Sequence, residues 1–238
     1  MAEKKTVIIT GASQGIGKAL VDAFLEHGYN VVGTSRNTCK VLKPTENLVL
    51  VDGDIGTSET AIAVSEAALR QFGTIDVLVA NAGIFFTKHF TEFTKDDFDS
   101  LVSTNLRGFF FITQIAVKQM LKQKKGSVVS ISAALADQPI SGVNAAVPMM
   151  TKGGIQAMIR SLAIEYAREN IRFNAVAPGT VDTPMHFGHS KEALKKFQPM
   201  GDIVSVQDVA DAVLYLAEAR QVTGEILHVD GGTHAGRW

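Results

Sequence analysis

The stretch Thr10-Gly11-Ala12-Ser13-Gln14-Gly15-Ile16-Gly17 carries residue types that bind phosphate without a charged side chain. Gly11 permits a tight turn. Gly15 lets backbone approach a pyrophosphate with no Cβ in the way, and Gly17 lets a following helix lie close to the strand before it. A helix that opens here aims unpaired N–H groups and a positive dipole end at the ligand, with Ser13, Gln14 and Ile16 completing the loop. The loop holds no Gly-Lys-Ser/Thr triplet, which disfavours a nucleoside triphosphate and leaves a dinucleotide. An NAD site asks for a carboxylate at the end of the second strand, on the ribose 2′-hydroxyl. This chain has Gly33-Thr34-Ser35-Arg36-Asn37 there, and the forked donors of Arg36 suit a 2′-phosphate. NADP(H) is therefore favoured over NAD(H).

Other reactive side chains are sparse. Cys39 is the only cysteine, so an internal disulfide and a Cys-rich zinc site are excluded. A lone thiol is usually a small, buried or half-buried apolar side chain, and that is the expectation for Cys39. His186 and His189 could close over a substrate, but a metal site would need further ligands that the sequence does not offer, so no metal is expected.

The elements that must position these residues follow from periodicity. Strand-length apolar runs cover Thr6 to Thr10, Asn30 to Ser35, Leu48 to Val51, Ile75 to Ala80, Ser127 to Ser132, Arg172 to Ala177 and Ile226 to Val229. Their continuous Val/Ile/Leu content is what strands buried on both faces require. Helical stretches alternate with them: Gly15 to His27, Thr57 to Phe72, Thr94 to about Gln123, Asn144 to Glu169, and one from Ser205 to about Arg220. Thr94-Lys95-Asp96-Asp97 and Ser205-Val206-Gln207-Asp208 resemble helix-start capping signals. The link from Arg36 to Asn47 contains Pro44, so little or no helix is expected there. The pattern predicts a single α/β domain over residues 1–238: a Rossmann-like, doubly wound parallel sheet of about seven strands, helices on both faces. Its ligand sites should lie at the carboxyl ends of strands one, four, five and six. Residues 182–204, with Pro184, Gly188, Pro199 and Gly201, read as a small substrate lobe. Met185, His186, Phe187 and His189 belong to it.

The chain's 238 residues, 46% of them hydrophobic, suit one large core. A net charge of -1, from 23 basic and 24 acidic side chains, offers no footprint for nucleic acid or an anionic membrane. The N-terminus shows no secretory pattern, and its first apolar run is too short to span a bilayer. A cytoplasmic protein is expected.

Taken together, these features resemble the short-chain dehydrogenase/reductase family over essentially the whole chain. The glycine loop is that family's signature. Asn81-Ala82-Gly83 matches its adenine-side loop, and Asp54-Ile55 its adenine-binding pair. Thr151-Lys152 matches its lysine, which the resemblance implies binds the nicotinamide ribose. Asn105 matches its structural asparagine, and Pro178-Gly179, Val181 and Thr183 match the loop that holds the carboxamide. Val229-Asp230-Gly231-Gly232 matches the tail.

The resemblance breaks at the chemistry. The family's tyrosine lies four residues before the lysine, where this chain has Pro148. The family's serine position falls on Ala133, with Ser132 one residue before. Tyr29, Tyr166 and Tyr215 are the only tyrosines, and Tyr166 lies about 21 Å beyond Lys152 along a continuous helix. Hydride addition to a carbonyl builds charge on oxygen, which needs aimed donors and finally a proton. Pro148 offers neither a side-chain donor nor an N–H. Substitute donors to consider are Ser132, Asp137, Gln138, Ser141, Asn144, His186 and His189, with Ser132 placed best. Three readings stand: an oxidoreductase for a carbonyl or alcohol using Asn105, Lys152 and Ser132; a sensor or scaffold that keeps the nucleotide site; and a nucleotide-dependent lyase, epimerase or isomerase. Phe85, Phe86, Met149, Met185 and Phe187 suggest an apolar small-molecule substrate. The resemblance implies a homodimer or homotetramer packed through the two long helices, one carrying Phe109-Phe110-Phe111.

Overall fold

Val7 and Ile9 point to one side of the first strand and Ile8 to the other, and all three are fully buried. Both faces of the sheet must therefore be covered. The structure, a computed structural model, describes residues 4–186, 188 and 190–236. Its strands are β1 Thr6–Thr10, β2 Asn30–Ser35, β3 Leu48–Asp52, β4 Val77–Ala80, β5 Gly126–Ile131, β6 Ile171–Pro178 and β7 Ile226–Val229. They form one sheet in the order β3-β2-β1-β4-β5-β6-β7, parallel throughout. The order reverses between β1 and β4, which opens a crevice at their carboxyl ends.

The helices are α1 Gly15–Glu26, α2 Thr38–Val41, α3 Ser58–Phe72, α4 Lys95–Leu101, α5 Gly108–Gln123, α6 Ala146–Glu165, α7 Lys191–Lys195 and α8 Val206–Glu218. On one face, Leu20 and Phe24 of α1 and Val213 and Leu216 of α8 cover Val7 and Ile9. On the other, Val64 of α3, Ile112 of α5 and Ile159 of α6 cover Ile8, Leu78 and Phe173. This is the doubly wound architecture that the alternating pattern implies.

Local signals set the helix ends. Thr94 and Ser205 each form a full capping box, with Asp97 and Asp208. Thr57 caps α3, which stops at Gly73 in a left-handed conformation, φ 77°. The helix expected from Thr94 to Gln123 is interrupted: Val102–Arg107 is a π-turn between α4 and α5. The helix expected from Asn144 starts at Ala146 and ends at Glu165, followed by a separate 3-10 turn, Ala167–Glu169. Pro148 occupies the third position of α6, where its missing N–H would have had no intrahelical partner. Between Arg36 and Asn47 there is one helical turn, α2. Residues 182–204 contain a 3-10 turn, Pro184–His186, and α7, and Val181 bridges to Val204 beneath them. Phe187, His189 and the side chain of His186 lie outside the described residues. No described helix is long and apolar enough to cross a membrane.

Candidate functional site

A cleft of about 670 Å³ runs along the carboxyl ends of the strands, across the β1/β4 switch. That volume is in the range of a cofactor site. One half lies over β1, β2 and β3. Gly11, Ser13, Gln14, Gly15, Ile16 and Gly17 line it. Gly15 has φ +52°, and a Cβ at Gly17 would fall 1.9 Å from the Gly11 carbonyl oxygen. Only glycine allows α1 to start this close to β1. Gln14 provides no side-chain cap, so the first N–H groups of α1 are left for a ligand. Asn81 fixes the loop from behind: its Nδ2 donates to the Thr10 carbonyl at 2.8 Å. The Asn81 and Ala82 N–H groups both donate to Thr10 Oγ1.

Thr34, Ser35, Arg36 and Asn37 form the wall at the end of β2, with Gly53, Asp54 and Ile55 opposite. Arg36 is exposed at the cleft edge. Asp54 turns inward on its own loop, accepting from the Gly56 N–H at 2.9 Å. Asp52 accepts from the Cys39 N–H at 2.9 Å. Cys39 corrects the expectation of a buried or half-buried thiol, because it sits exposed on α2. Partial desolvation, then the Asp52 carboxylate, raise its pKa, which opposes a reactive thiolate.

The other half lies over β4, β5 and β6, lined by Gly83, Ser132, Ala133, Lys152, Pro178, Gly179, Val181 and Thr183 among others. Thr183 reaches back to the phosphate loop; a Cβ on Gly15 would meet its Cγ2 at 3.2 Å. Lys152, one turn beyond Pro148 on α6, is buried, and its ammonium donates to the Ile131 carbonyl at 2.7 Å. Burial pushes this lysine down to about 8. A folded-state value below the unfolded one makes the group a stability cost at low pH, relieved as pH rises from about 8 toward 10.5. The cost is on the order of 3 kcal/mol at neutral pH. We therefore expect Lys152→Met to raise the thermal midpoint of the ligand-free protein at pH 7. The gain should shrink by pH 10, as read by calorimetry at both values.

Two expectations about side chains change. Asn105 sits on the π-turn, 1% exposed, and does not line the large cleft. Its Nδ2 donates to the Ile84 carbonyl and to Thr151 Oγ1, and its Oδ1 accepts from the Ile84 N–H. Its side chain thus positions the loop after β4 against α6 instead of facing a ligand. Ser132 does line the cleft, but its hydroxyl turns toward the Lys152 carbonyl, 3.4 Å away.

The remaining substitute donors fall outside the cleft lining: Asp137, Gln138, Ser141 and Asn144. None of the three tyrosines lines it either: Tyr29 donates to Glu218, Tyr166 rests on Phe173, and Tyr215 is exposed on α8. Among the described residues, no group of three or more His, Cys, Asp or Glu is placed to hold a metal.

Sequence reasoning missed several lining residues, including Thr104, Leu135, Ile140, Val143 and Thr233, whereas Leu194 and Phe197 come from the lobe expected at 182–204. It also missed a pair of histidines behind the site. The His228 and His234 rings stack at 3.8 Å, the first on Asp137 at 3.0 Å and the second on Asp230 at 2.9 Å. Asp137 also accepts from Gln156 of α6, so this cluster ties the loop after β5 to the C-terminal segment.

Comparison with known proteins agrees with this geometry. A family model described as Enoyl-(Acyl carrier protein) reductase matches residues 11–234. The chain is 35% identical over 243 residues to the 3-oxoacyl-(acyl-carrier-protein) reductase FabG of Thermotoga maritima, spanning 97% of this chain and 98% of that protein. It is 35% identical over 244 residues to glucose 1-dehydrogenase 2 of Bacillus subtilis, spanning 96% and 94%. The structure of a 3-ketoacyl-(acyl-carrier-protein) reductase from Brucella melitensis complexed with NADH superposes with a TM-score of 0.90 at 28% identity, covering 98% of this chain and 99% of that one. The structure of ElxO with NADP bound gives 0.90 at 30% identity, covering 98% and 100%. With the parallel sheet, the glycine loop and the lysine on α6 in place, the chain belongs to the short-chain dehydrogenase/reductase family.

Proposed function

We propose that the cleft binds NADP(H) in preference to NAD(H), and that the protein is an oxidoreductase for a carbonyl or alcohol that works without the family's tyrosine and serine. The observation that carries this reading is that both ends of a dinucleotide site face one cleft, with the glycine cradle at one end and the buried Lys152 ammonium at the other. A nucleotide sensor would need the first but not the second. Related structures with NADH and with NADP support a nicotinamide ligand.

The residues present fit that ligand. The open N-terminus of α1 receives the pyrophosphate, and a Cβ at Gly15 or Gly17 would obstruct or distort that cradle. Ser35 and Arg36 receive the 2′-phosphate; Asp54, Ile55, Asn81 and Ala82 bound the adenosine half, and Gly83 bounds the cofactor beside Lys152. Lys152 turns its remaining donors to the ribose. Pro178, Gly179, Val181 and Thr183 bound the carboxamide end. A nicotinamide held there supplies or accepts a hydride. Lys152 then stabilises negative charge on the reacting oxygen, Ser132 and Asn105 hold the lysine's surroundings, and Met185 of the lobe at 182–204 borders the substrate.

Titration calorimetry tests the cofactor half of this reading. NADPH should bind more tightly than NADH, and Arg36→Ala should weaken NADPH on the order of tenfold while leaving NADH unchanged. Equal affinities in the unmodified protein would overturn the preference.

A second reading, a sensor or scaffold with little or no turnover, is favoured by one observation: Ala133 and Pro148 occupy the positions that the family resemblance assigns to its serine and tyrosine. We place the protein in the cytoplasm on its balanced charge and single cysteine. We also propose a homodimer or homotetramer. Phe98, Phe110 and Met150 are each more than two-fifths exposed along α4, α5 and α6, whereas Phe109 and Ile112 turn inward. Sedimentation at micromolar concentration should show an oligomer, and a monomer would refute the assignment.

A further inference from the structure

We propose that the substrate end of the cleft is suited to a flat, conjugated dicarbonyl of the quinone class, and not to an isolated ketone or a sugar. This inference rests on the oxidoreductase reading above.

Side-chain donors are scarce at this end. Ala133, just beyond β5, presents a methyl group to the cleft, and Pro148, four residues before Lys152, is buried outside the lining and has no N–H. Ser132 directs its hydroxyl to the Lys152 carbonyl, and the Asn105 amide is occupied by Ile84 and Thr151. Among the described residues around these positions, Lys152 is the only cation on the cleft floor, and it is held back by Ile131.

The wall is mainly apolar: Phe85, Ile140, Val143, Met149, Met185 and Phe197 line it, Thr233 already donates to Phe197 and Asp230, and Thr87, Thr180 and Thr183 add hydroxyls too few for a sugar. A sugar brings a hydroxyl on almost every carbon, and each one buried without a partner costs about 1–3 kcal/mol. Flat aromatic rings, by contrast, pack well on methionine sulfur and phenyl edges. The glucose dehydrogenase relative therefore does not set the expectation for this pocket.

The acidity of the product separates the two substrate classes. Reduction of an isolated ketone leaves an alkoxide, about as basic as hydroxide. It does not form readily without a positioned acid. A quinone behaves differently. It gains two electrons and one proton, as a hydride equivalent from reduced nicotinamide, at one of its two oxygens. An O–H bond forms there, the ring becomes aromatic, and the opposite oxygen keeps the displaced electron pair as a phenolate. A phenol's own pKa lies near 10, so the phenolate can leave the step as an anion and take its second proton from bulk water. The oxidised nicotinamide and the hydroquinone complete the balance. Lys152 needs only to face the phenolate, as a charge.

The test uses the full chain at saturating NADPH, with 1,4-naphthoquinone and the two-ring ketone 1-tetralone as matched substrates. The protein-free oxidation of NADPH by the quinone is subtracted. The expected kcat/KM for the quinone exceeds that for the ketone by at least about 100-fold. A binding arm does not depend on turnover. With NADP+ present, 2-hydroxy-1,4-naphthoquinone, a ring oxyanion at neutral pH, should bind saturably by titration calorimetry. Val143→Asp should weaken that binding by about tenfold or more while the NADP+ titration stays unchanged. If 1-tetralone is reduced as fast as the quinone, the site has a proton donor and the inference fails, while the oxidoreductase reading stands. Failure of the hydroxynaphthoquinone to bind also overturns it. If NADPH binds and neither substrate is reduced, the inference and the oxidoreductase reading fall together, and the sensor reading replaces them.

Discussion

Gly15→Trp is expected to abolish binding of NADPH and NADH alike, a loss of at least about 100-fold by calorimetry. Three features combine at this position. The backbone sits at φ +52°, which favours glycine. The space beyond it is closed by Thr183, 3.2 Å from a notional Cβ. The N–H groups of α1 that would meet the phosphates start at this residue. An indole there fills the cradle. The left-handed strain costs about 1–2 kcal/mol, so the far-ultraviolet circular dichroism should stay native. Binding retained within a few-fold, in a folded variant, would mean that the phosphates lie elsewhere.

The second large effect concerns the acid that we propose the site lacks. Pro148→Tyr combined with Ala133→Ser should raise turnover of simple ketones on the order of 10²-fold, the usual worth of a positioned general acid. The position tolerates the change because Pro148 lies in the first turn of α6, where its ring supports no intrahelical hydrogen bond. The new phenol would stand one turn before Lys152, whose ammonium favours the phenolate and eases proton return. Adding Lys152→Ala to the double substitution should cancel the gain. If the double substitution slows an already fast enzyme, a dedicated donor exists. Ser132, His186 and His189 would then be replaced first.

Much of the scaffold was legible because its signals are local. The bounds of β1, β2 and β7 follow directly from apolar runs closed by turn residues. The starts of α4 and α8 follow from Thr94 with Asp97 and Ser205 with Asp208. The glycine loop was legible because Gly17 answers a steric demand that no other residue meets and Gly15 sits at a φ of 52° that favours glycine. The π-turn was not, because one extra residue in a helical ladder changes neither composition nor apolar spacing enough to register. That turn is what carries Asn105 into the interior, so its side chain could not be placed from sequence. Ser132 failed for a related reason: where its hydroxyl turns depends on the Lys152 carbonyl of α6, twenty residues away. The His228–His234 stack joins the strand β7 to the turn after it and depends on Asp137 from a loop 91 residues earlier, a contact only the tertiary fold creates. Cys39 is exposed because α2 is a single turn on the rim, too short to bury both sides.

The central claim is that this cleft turns over a nicotinamide dinucleotide without the family's phenol. The most direct test is to incubate the purified chain with NADPH and a simple ketone and to measure both NADPH loss and alcohol formed. The account predicts equal, slow accumulation of both, well below the roughly 10 s⁻¹ of a typical enzyme, and its loss in Lys152→Ala. NADPH binding with no alcohol formed, or NADPH loss that survives Lys152→Ala, would contradict it.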